Sequence, residues 1–265
     1  MRTIKKVASH IFIDGFGGMT QGLFATLIIG TMIQQIGLLI GSSTGNVIYL
    51  LGKAAAALTS AGIGVGVAVK YGESPLVTVS AAVAAMVGGY AGKITGGTFF
   101  VDGNAVLAGP GEPLGAFIAA FAGITCGHLV SGKTKVDIIV TPVITIGAGS
   151  VVGLLVGPPI SQMMTGLGSI INWATEQRPF IMGIVVSVVM GMVLTLPISS
   201  AALGIILNLS GLAAGAATIG CCCNMVGFAV ASYRENKFGG LVAQGLGTSM
   251  LQVPNIMRHP LIWLP

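Results

Sequence analysis

LPISSAALGIILNLSGLAAGAATIGCCCN, residues 196–224, is the stretch whose reading decides the fold. It is almost wholly apolar and small, without a single charge, yet it carries Pro197, a run of hydroxyls, two asparagines and three adjacent cysteines. In water such a segment is an aggregation hazard. Inside a bilayer its small residues let helix backbones touch, while Pro and Gly permit interrupted helices that turn backbone groups towards a cavity. The stretch therefore reads as part of a polar pocket inside a membrane protein.

The rest of the chain agrees. Of 265 residues 54% are hydrophobic and only 7% charged, against about 25% charged in an ordinary soluble domain. Apolar runs recur along nearly the whole length, which leaves little room for a separate soluble domain. A transmembrane β-barrel would show short alternating segments with aromatic girdles, whereas GIVVSVVMGMVLTL, residues 183–196, is apolar throughout. The expected fold is all-α and polytopic. The basic start MRTIKKVASH leads into an apolar run without a convincing cleavage site, so it reads as a retained first span.

The net charge of +5 is dispersed over short loops. It implies anchoring at a lipid surface, and no basic block with interleaved aromatics points to nucleic acid. Cys126 and Cys221 to Cys223 offer no disulfide framework, because neighbours on a helix cannot pair without strain.

Taken in order, the chain predicts a first span over 12–40 and an amphipathic segment, GNVIYLLGKAAAALTS, lying in the interface with Lys53 towards headgroups. Apolar helices follow at 61–69 and 75–91. Residues 94–113, ITGGTFFVDGNAVLAGPGEP, are the least helical part and read equally as an aqueous loop or a re-entrant, broken element. Spans at 114–130 and 138–157 come next, the second broken by Pro158 and Pro159. After an amphipathic piece anchored by Trp173, apolar segments cover 180–196, 198–209, 212–232 and 241–253. This amounts to about ten membrane elements, not all of them spanning.

The two halves, 1–135 and 136–265, match at a nearly constant offset. A shift of about 124 places Gly96 on Gly220, Gly103 on Gly227, Ala105 on Ala229, Gly115 on Gly239 and Gly123 on Gly247. A slightly smaller shift places PLVTVSAA, from Pro75, on PISSAALG, from Pro197. Two structural repeats are expected, and many transporters bind solute where the broken helices of such repeats meet. The Lys and Arg residues fit an inverted and a parallel repeat equally.

Polar residues at membrane depth are costly, so they are the functional candidates. Asp102 and Asn104, in the break of the first half, would hydrogen-bond a polar solute or else occupy a solvated turn. Glu112, in GPGEPLG, would bind a solute hydroxyl or take a proton; the plainer reading is a carboxylate favoured by a helix N-terminus. Ser199, Ser200 and Asn224 are the corresponding groups of the second half. Serines on such helices often bond their own backbone, whereas an amide like Asn224 needs a partner. Gln244 and Gln252 are similar but closer to an interface. His128 reads as a surface histidine.

Three consecutive cysteines point about 100° apart on a helix and cannot all reach one ion, so no metal is expected, and no cofactor. Without a P-loop, ATP-driven transport is not encoded. No hydrolytic triad stands out either, so the chain reads as a transport component and not an enzyme. The hydroxyls and amides suit a neutral polyol, since nothing resembles an Arg clamp for an anion.

Five stretches carry a family resemblance: SGKTKVDIIVTP (131–142), INWATEQRPF (171–180), LPISSAA (196–202), GLAAGAATIGCC (211–222) and QGLGTSMLQVPN (244–255). Together they resemble the compact IIC-type membrane permeases of the bacterial phosphotransferase system, in the branch that includes perfringolysin-regulator-like membrane proteins. The resemblance implies a multi-pass inner-membrane sugar permease, commonly a homodimer, with separate cytosolic phosphocarrier subunits supplying the phosphoryl group. Two other readings stand beside it: a membrane-embedded regulator or sensor that does not transport, and an ion- or proton-coupled carrier using Asp102 or Glu112.

Overall fold

A computed structural model describes residues 14–101, 103–107, 109–195, 209 and 211–263. Two compact units emerge, 1–161 and 162–265.

In the first unit, α1 (Phe16–Ile40) is a span of 25 residues that passes through a π-helical turn at Phe24–Ile28. It ends at Gly41, which holds the left-handed conformation at φ 61° that glycine adopts without steric cost. Ser42 then caps α2 (Ser43–Ala57) by accepting from the Gly45 N–H. α3 (Thr59–Lys70) follows at a bend of 53°, and α2 and α3 together are apolar enough to make one broken span. α4 (Pro75–Gly89) is capped by Ser74, and a short α5 (Ala91–Thr95) leads into a two-stranded hairpin. There β1 (Phe100–Val101) pairs antiparallel with β2 (Asn104–Ala105). α6 (Pro113–Val130) completes the ordered series of this unit before α7 begins.

Glycine decides how these helices meet. A Cβ on Gly18 would stand 2.6 Å from the Gly66 carbonyl, and one on Gly30 would stand 2.8 Å from that of Gly52. α1 therefore lies backbone to backbone against α2 and α3, the close approach that small residues permit between membrane helices. The segment expected to lie in the interface thus packs along α1 and, with α3, forms a candidate broken span. GNVIYLLGKAAAALTS has glycines at the spacing needed to pack on α1, and that packing is available only once the partner helix is known. Around Met19, Ile63, Val67, Val77, Ala84 and Phe117, all buried, the core is built mostly of small and branched side chains. Large side chains such as Leu39 face outward, 87% exposed, as they do where lipid is the solvent.

α7 (Asp137–Gln177) is continuous and contains Pro142, Pro158 and Pro159. The break expected at Pro158–Pro159 is absent. Each proline removes one N–H donor, and apolar helices at membrane depth keep such positions where neighbours re-satisfy the freed groups. Gly149 and Gly153 of α7 press on Ala119 and Gly88, which is why the first part of this helix belongs to the first unit.

The second unit contains α8 (Pro179–Thr195), α9 (Gly211–Ala231) and α10 (Tyr233–Val242). α8 and α9 cross at Gly220, where a Cβ would collide with the Ser187 carbonyl. Ser187 Oγ donates to the Ala216 carbonyl at 2.7 Å. α10 is kinked at Lys237, a non-glycine residue at φ 51°, a conformation that costs on the order of 1–3 kcal/mol. A π-turn at Ala243–Gly247 follows, then a 3-10 turn at Ser249–Gln252 and α11 (Val253–Arg258). The expected continuous segment over 241–253 is thus a series of short turns, because Thr248 is extended at φ −163° and breaks the helix.

Among the described residues four helices are long and apolar enough to cross a membrane, a fifth crossing being the bent α2–α3 pair. α4 and α8 are shorter apolar helices. The architecture is an all-α polytopic membrane protein. At the offset of about 124 read as a duplication, Gly103 lies in the hairpin turn at φ 77° while Gly227 lies within α9.

Candidate functional site

Among the described residues a polar centre stands out in each unit. In the first it is Glu112, at the end of the sequence Gly109-Pro110-Gly111-Glu112-Pro113. Gly109 and Gly111 take φ of 82° and 75°, Glu112 is held extended before a proline, and Pro113 opens α6. The loop is clasped at three of its residues, Gly109, Pro110 and Glu112. Tyr90 Oη donates to the Gly109 carbonyl, Ser60 Oγ donates to Pro110 O at 3.0 Å, and the Glu112 N–H donates to Gly89 O at 2.7 Å. At Gly111 a side chain would collide with Ser60 Oγ, so glycine is required there for space as well as conformation.

The Glu112 side chain is buried, 8% exposed. Its Oε1 accepts from the Leu114 N–H at 3.3 Å, a helix-cap bond that also places the carboxylate at the positive end of α6. Its Oε2 is buried with no partner. Burial raises the Glu112 pKa, and the Leu114 N–H opposes the shift. One Glu112 oxygen thus caps α6, as the plainer reading expects, and the other is left without a partner.

In the second unit a cavity of about 630 Å³ opens between the C-terminal half of α9, the start of α10 and the turns around α11. Asn224, Ser232, Glu235, Asn236, Gln252, Asn255 and His259 supply its polar lining. Asn224 Oδ1 is buried without a partner. Behind the wall runs a continuous ladder. Asn255 Nδ2 donates to Gln252 Oε1 at 2.8 Å, Gln252 Nε2 to Gln244 Oε1 at 3.0 Å, and Gln244 Nε2 to Ser232 Oγ at 2.9 Å. Ser232 Oγ donates in turn to the Phe228 carbonyl at 2.7 Å. The π-turn and the break at Thr248 fold Gln244 back against Ser232, and π-turns recur at functional sites for this kind of local re-aiming.

Of the residues singled out from sequence, Asn224 and Gln244 fall together in the second unit, one on the cavity wall and one in the ladder behind it. Glu112 is the buried centre of the first unit. Asn104 is exposed on the hairpin, paired across the strands with Val101. Asp102, Ser199 and Ser200 lie outside the described residues. His128 is exposed and its Nδ1 stands 3.0 Å from Glu73 Oε1, as expected of a surface histidine. Cys221 leans on the Met190 carbonyl, and no group of three metal-ligating side chains occurs among the described residues.

Glu235, Asn236, Asn255 and His259 were missed. They sit in hydrophilic stretches, SYRENK and NIMRH, that read as loop; only the fold turns them towards one space. A signal was present in the i, i+3 spacing of Gln252 and Asn255, which puts both amides on one helical face.

The family model for the phosphotransferase system EIIC component matches residues 13–265. The chain belongs to the EIIC family. EIIC components are membrane transport domains and not catalysts, so this EIIC protein is a multi-pass permease-type transporter. Searches of the curated proteins and of the solved structures each returned no match.

Proposed function

We propose that this EIIC protein is the inner-membrane permease of a bacterial phosphotransferase system and that its solute is a sugar. The observation that carries the reading is the cavity of the second unit. Its volume lies within the range of small-molecule sites, roughly 300–1,000 Å³, and its lining combines apolar helix surface with amides and hydroxyls. Asn224 Oδ1, buried and unpaired, is the kind of group a solute hydroxyl would satisfy. Among the described residues no Lys or Arg lines the cavity, which favours a neutral solute.

Glu112 is a separate polar candidate of the first unit, and Asp102, Asn104, Ser199, Ser200 and Gln244 complete the set of residues proposed to bind solute. The proposed partners are cytosolic phosphocarrier subunits and a second copy of the chain. The halves 1–135 and 136–265 are proposed to descend from a duplication, on the strength of the constant sequence offset between them.

Uptake of labelled hexoses, pentoses and hexitols into proteoliposomes tests the function, with binding to the purified protein as the companion measurement. Saturable binding lost in Asn224→Leu is expected. Intact folded protein that binds none of these compounds would refute the assignment.

A second reading has its own support. The unpaired Glu112 Oε2 and the raised pKa of that carboxyl suit a site that takes a proton, hence a proton-coupled carrier. Solute-dependent acidification inside proteoliposomes, abolished in Glu112→Gln, would favour it over phosphotransfer.

A further inference from the structure

Ser232 and Gln244 stand 12 residues apart in the chain, yet Gln244 Nε2 lies 2.9 Å from Ser232 Oγ. On an unbroken helix the two residues would be about 18 Å apart, further than their side chains can bridge. The chain has turned back on itself. The next residue agrees, since a Cβ on Gly245 would rest 3.6 Å from that of Ala229 in α9. Within α10 the reversal passes through one residue with non-helical dihedrals, Lys237 at φ 51° and ψ −153°. This is the mirror image of extended backbone, a region that glycine enters freely and a residue with a side chain does not. The glycines of the segment, Gly239 and Gly240, lie beyond it. No residue of α10 is buried, so packing around Lys237 does not impose the conformation. What holds it lies downstream: the Ser232–Gln244 bond and the seat of the returning chain on Ala229.

A strained residue held by a separable bond is a two-state element. We infer that Lys237 is the hinge of a gate on the second-unit cavity, with residues 238–247 as the moving arm and the Ser232–Gln244 bond as its latch. In the latched state the ladder joins Ser232, at the end of α9, to Gln252 and Asn255 on the facing side of the cavity. Relaxing Lys237 to helical dihedrals prolongs the helix past Asn236, carries Gln244 away from Ser232 and parts those two sides. Thr248, extended at φ −163°, is the second pivot. The turn after it stays seated, because Ser249 and Met250 are 0% and 3% exposed. A solute held between the two sides keeps the gate latched, a step that rests on the reading that this cavity holds the solute.

The test is thiol labelling of the full-length protein in lipid nanodiscs, with Cys126 and Cys221 to Cys223 replaced by serine. Ala229 is 2% exposed and lies against the arm, so the thiol of Ala229→Cys meets N-ethylmaleimide only when the arm lifts. At low reagent concentration its rate follows the open population. Ala217→Cys, at a residue 7% exposed and about 18 Å earlier on the same helix, reports any opening that does not involve the arm. Ala229→Cys should react faster than Ala217→Cys. Lys237→Gly relieves the latched state and should slow the reaction at position 229 at least about five-fold. Lys237→Ala keeps the strain, loses the charge and should stay within about two-fold. Ser232→Ala gives up the latch and should speed the reaction at least about two-fold. None of the three should move Ala217→Cys. Equal, slow labelling at both positions overturns the inference, and so does a rate at position 229 that Lys237→Gly or Ser232→Ala leaves unchanged in folded protein. A saturating hexose, pentose or hexitol should slow Ala229→Cys further. If no compound does so while Lys237→Gly still does, the solute-binding reading fails and the hinge stands.

Discussion

Replacing Gln244 by leucine should be among the costliest single changes in the second unit. Gln244 and Gln252 are 3% and 6% exposed, so water cannot take the place of a lost partner. The substitution removes the bond to Ser232 and the bond from Gln252. Hydrogen bonds between membrane helices average about 0.6 kcal/mol, so the two bonds together account for about 1 kcal/mol. Ser232 keeps its bond to Phe228 and is not orphaned. Gln252 Nε2 is, and leaving a buried donor unpaired adds about 1–3 kcal/mol. The expected loss is therefore about 2–4 kcal/mol, dominated by the orphaned amide. Reversible unfolding in mixed micelles of increasing SDS, followed by far-UV circular dichroism, reads this directly. Gln177→Leu, on an exposed residue, serves as a control and should stay within about 0.5 kcal/mol of wild type. The double variant with Ser232→Ala should show coupling, because the two residues share one network. A Gln244→Leu protein within about 0.5 kcal/mol of wild type would refute the closed ladder.

Glu112→Gln should remove a pH dependence of stability. With its folded pKa raised, the native state binds more protons than the unfolded state between the ordinary carboxyl value and the raised one, so wild-type stability falls as pH rises through that window. The variant should melt at higher temperature than wild type above the window and lose that advantage below it, as thermal melts across pH would record. Gly220→Ala drives a methyl into the Ser187 carbonyl and should cost about 1–3 kcal/mol. Gly215→Ala, on the same helix with open space around it, should stabilise by up to about 1 kcal/mol; SDS titration of both compares them. Ser60→Ala leaves the Pro110 carbonyl without its donor and should cost about 1 kcal/mol, with faster amide hydrogen exchange at Gly111 and Glu112 than at Leu114 or beyond.

What could be read from the sequence follows from which interactions are local. Apolar length and the scarcity of charge are properties of each segment alone, so α1, α6, α7 and α9 were legible as spans. The GPGEP loop was legible too, since glycine, proline and a carboxylate before a helix act within a few residues. Pro158 and Pro159 misled because their penalty depends on what surrounds the freed carbonyls, and α7 remains helical through them. The packing of GNVIYLLGKAAAALTS was not legible for the complementary reason. Its Gly45 and Gly52 are meaningful only against Gly37 and Gly30 of the preceding helix, a pairing that no single-segment pattern contains.

The candidate site divides along the same line. Sequence can mark a polar residue as expensive at membrane depth, but it cannot say whether the fold closes or leaves open its hydrogen-bonding capacity. Gln244 and Asn224 look alike as amides in apolar surroundings, yet Gln244 has both ends engaged and Asn224 keeps a buried oxygen unpaired. Glu112 divides within a single side chain, one oxygen capping α6 and the other unpartnered. A closed group fixes geometry, because any movement breaks a bond that water cannot replace. An open group is a standing cost that binding would relieve. Changing Gln244 should therefore show first in stability, and changing Asn224 or Glu112 first in solute or proton binding. Asn224→Leu that unfolded the protein as severely as Gln244→Leu, without a separate effect on binding, would contradict this division.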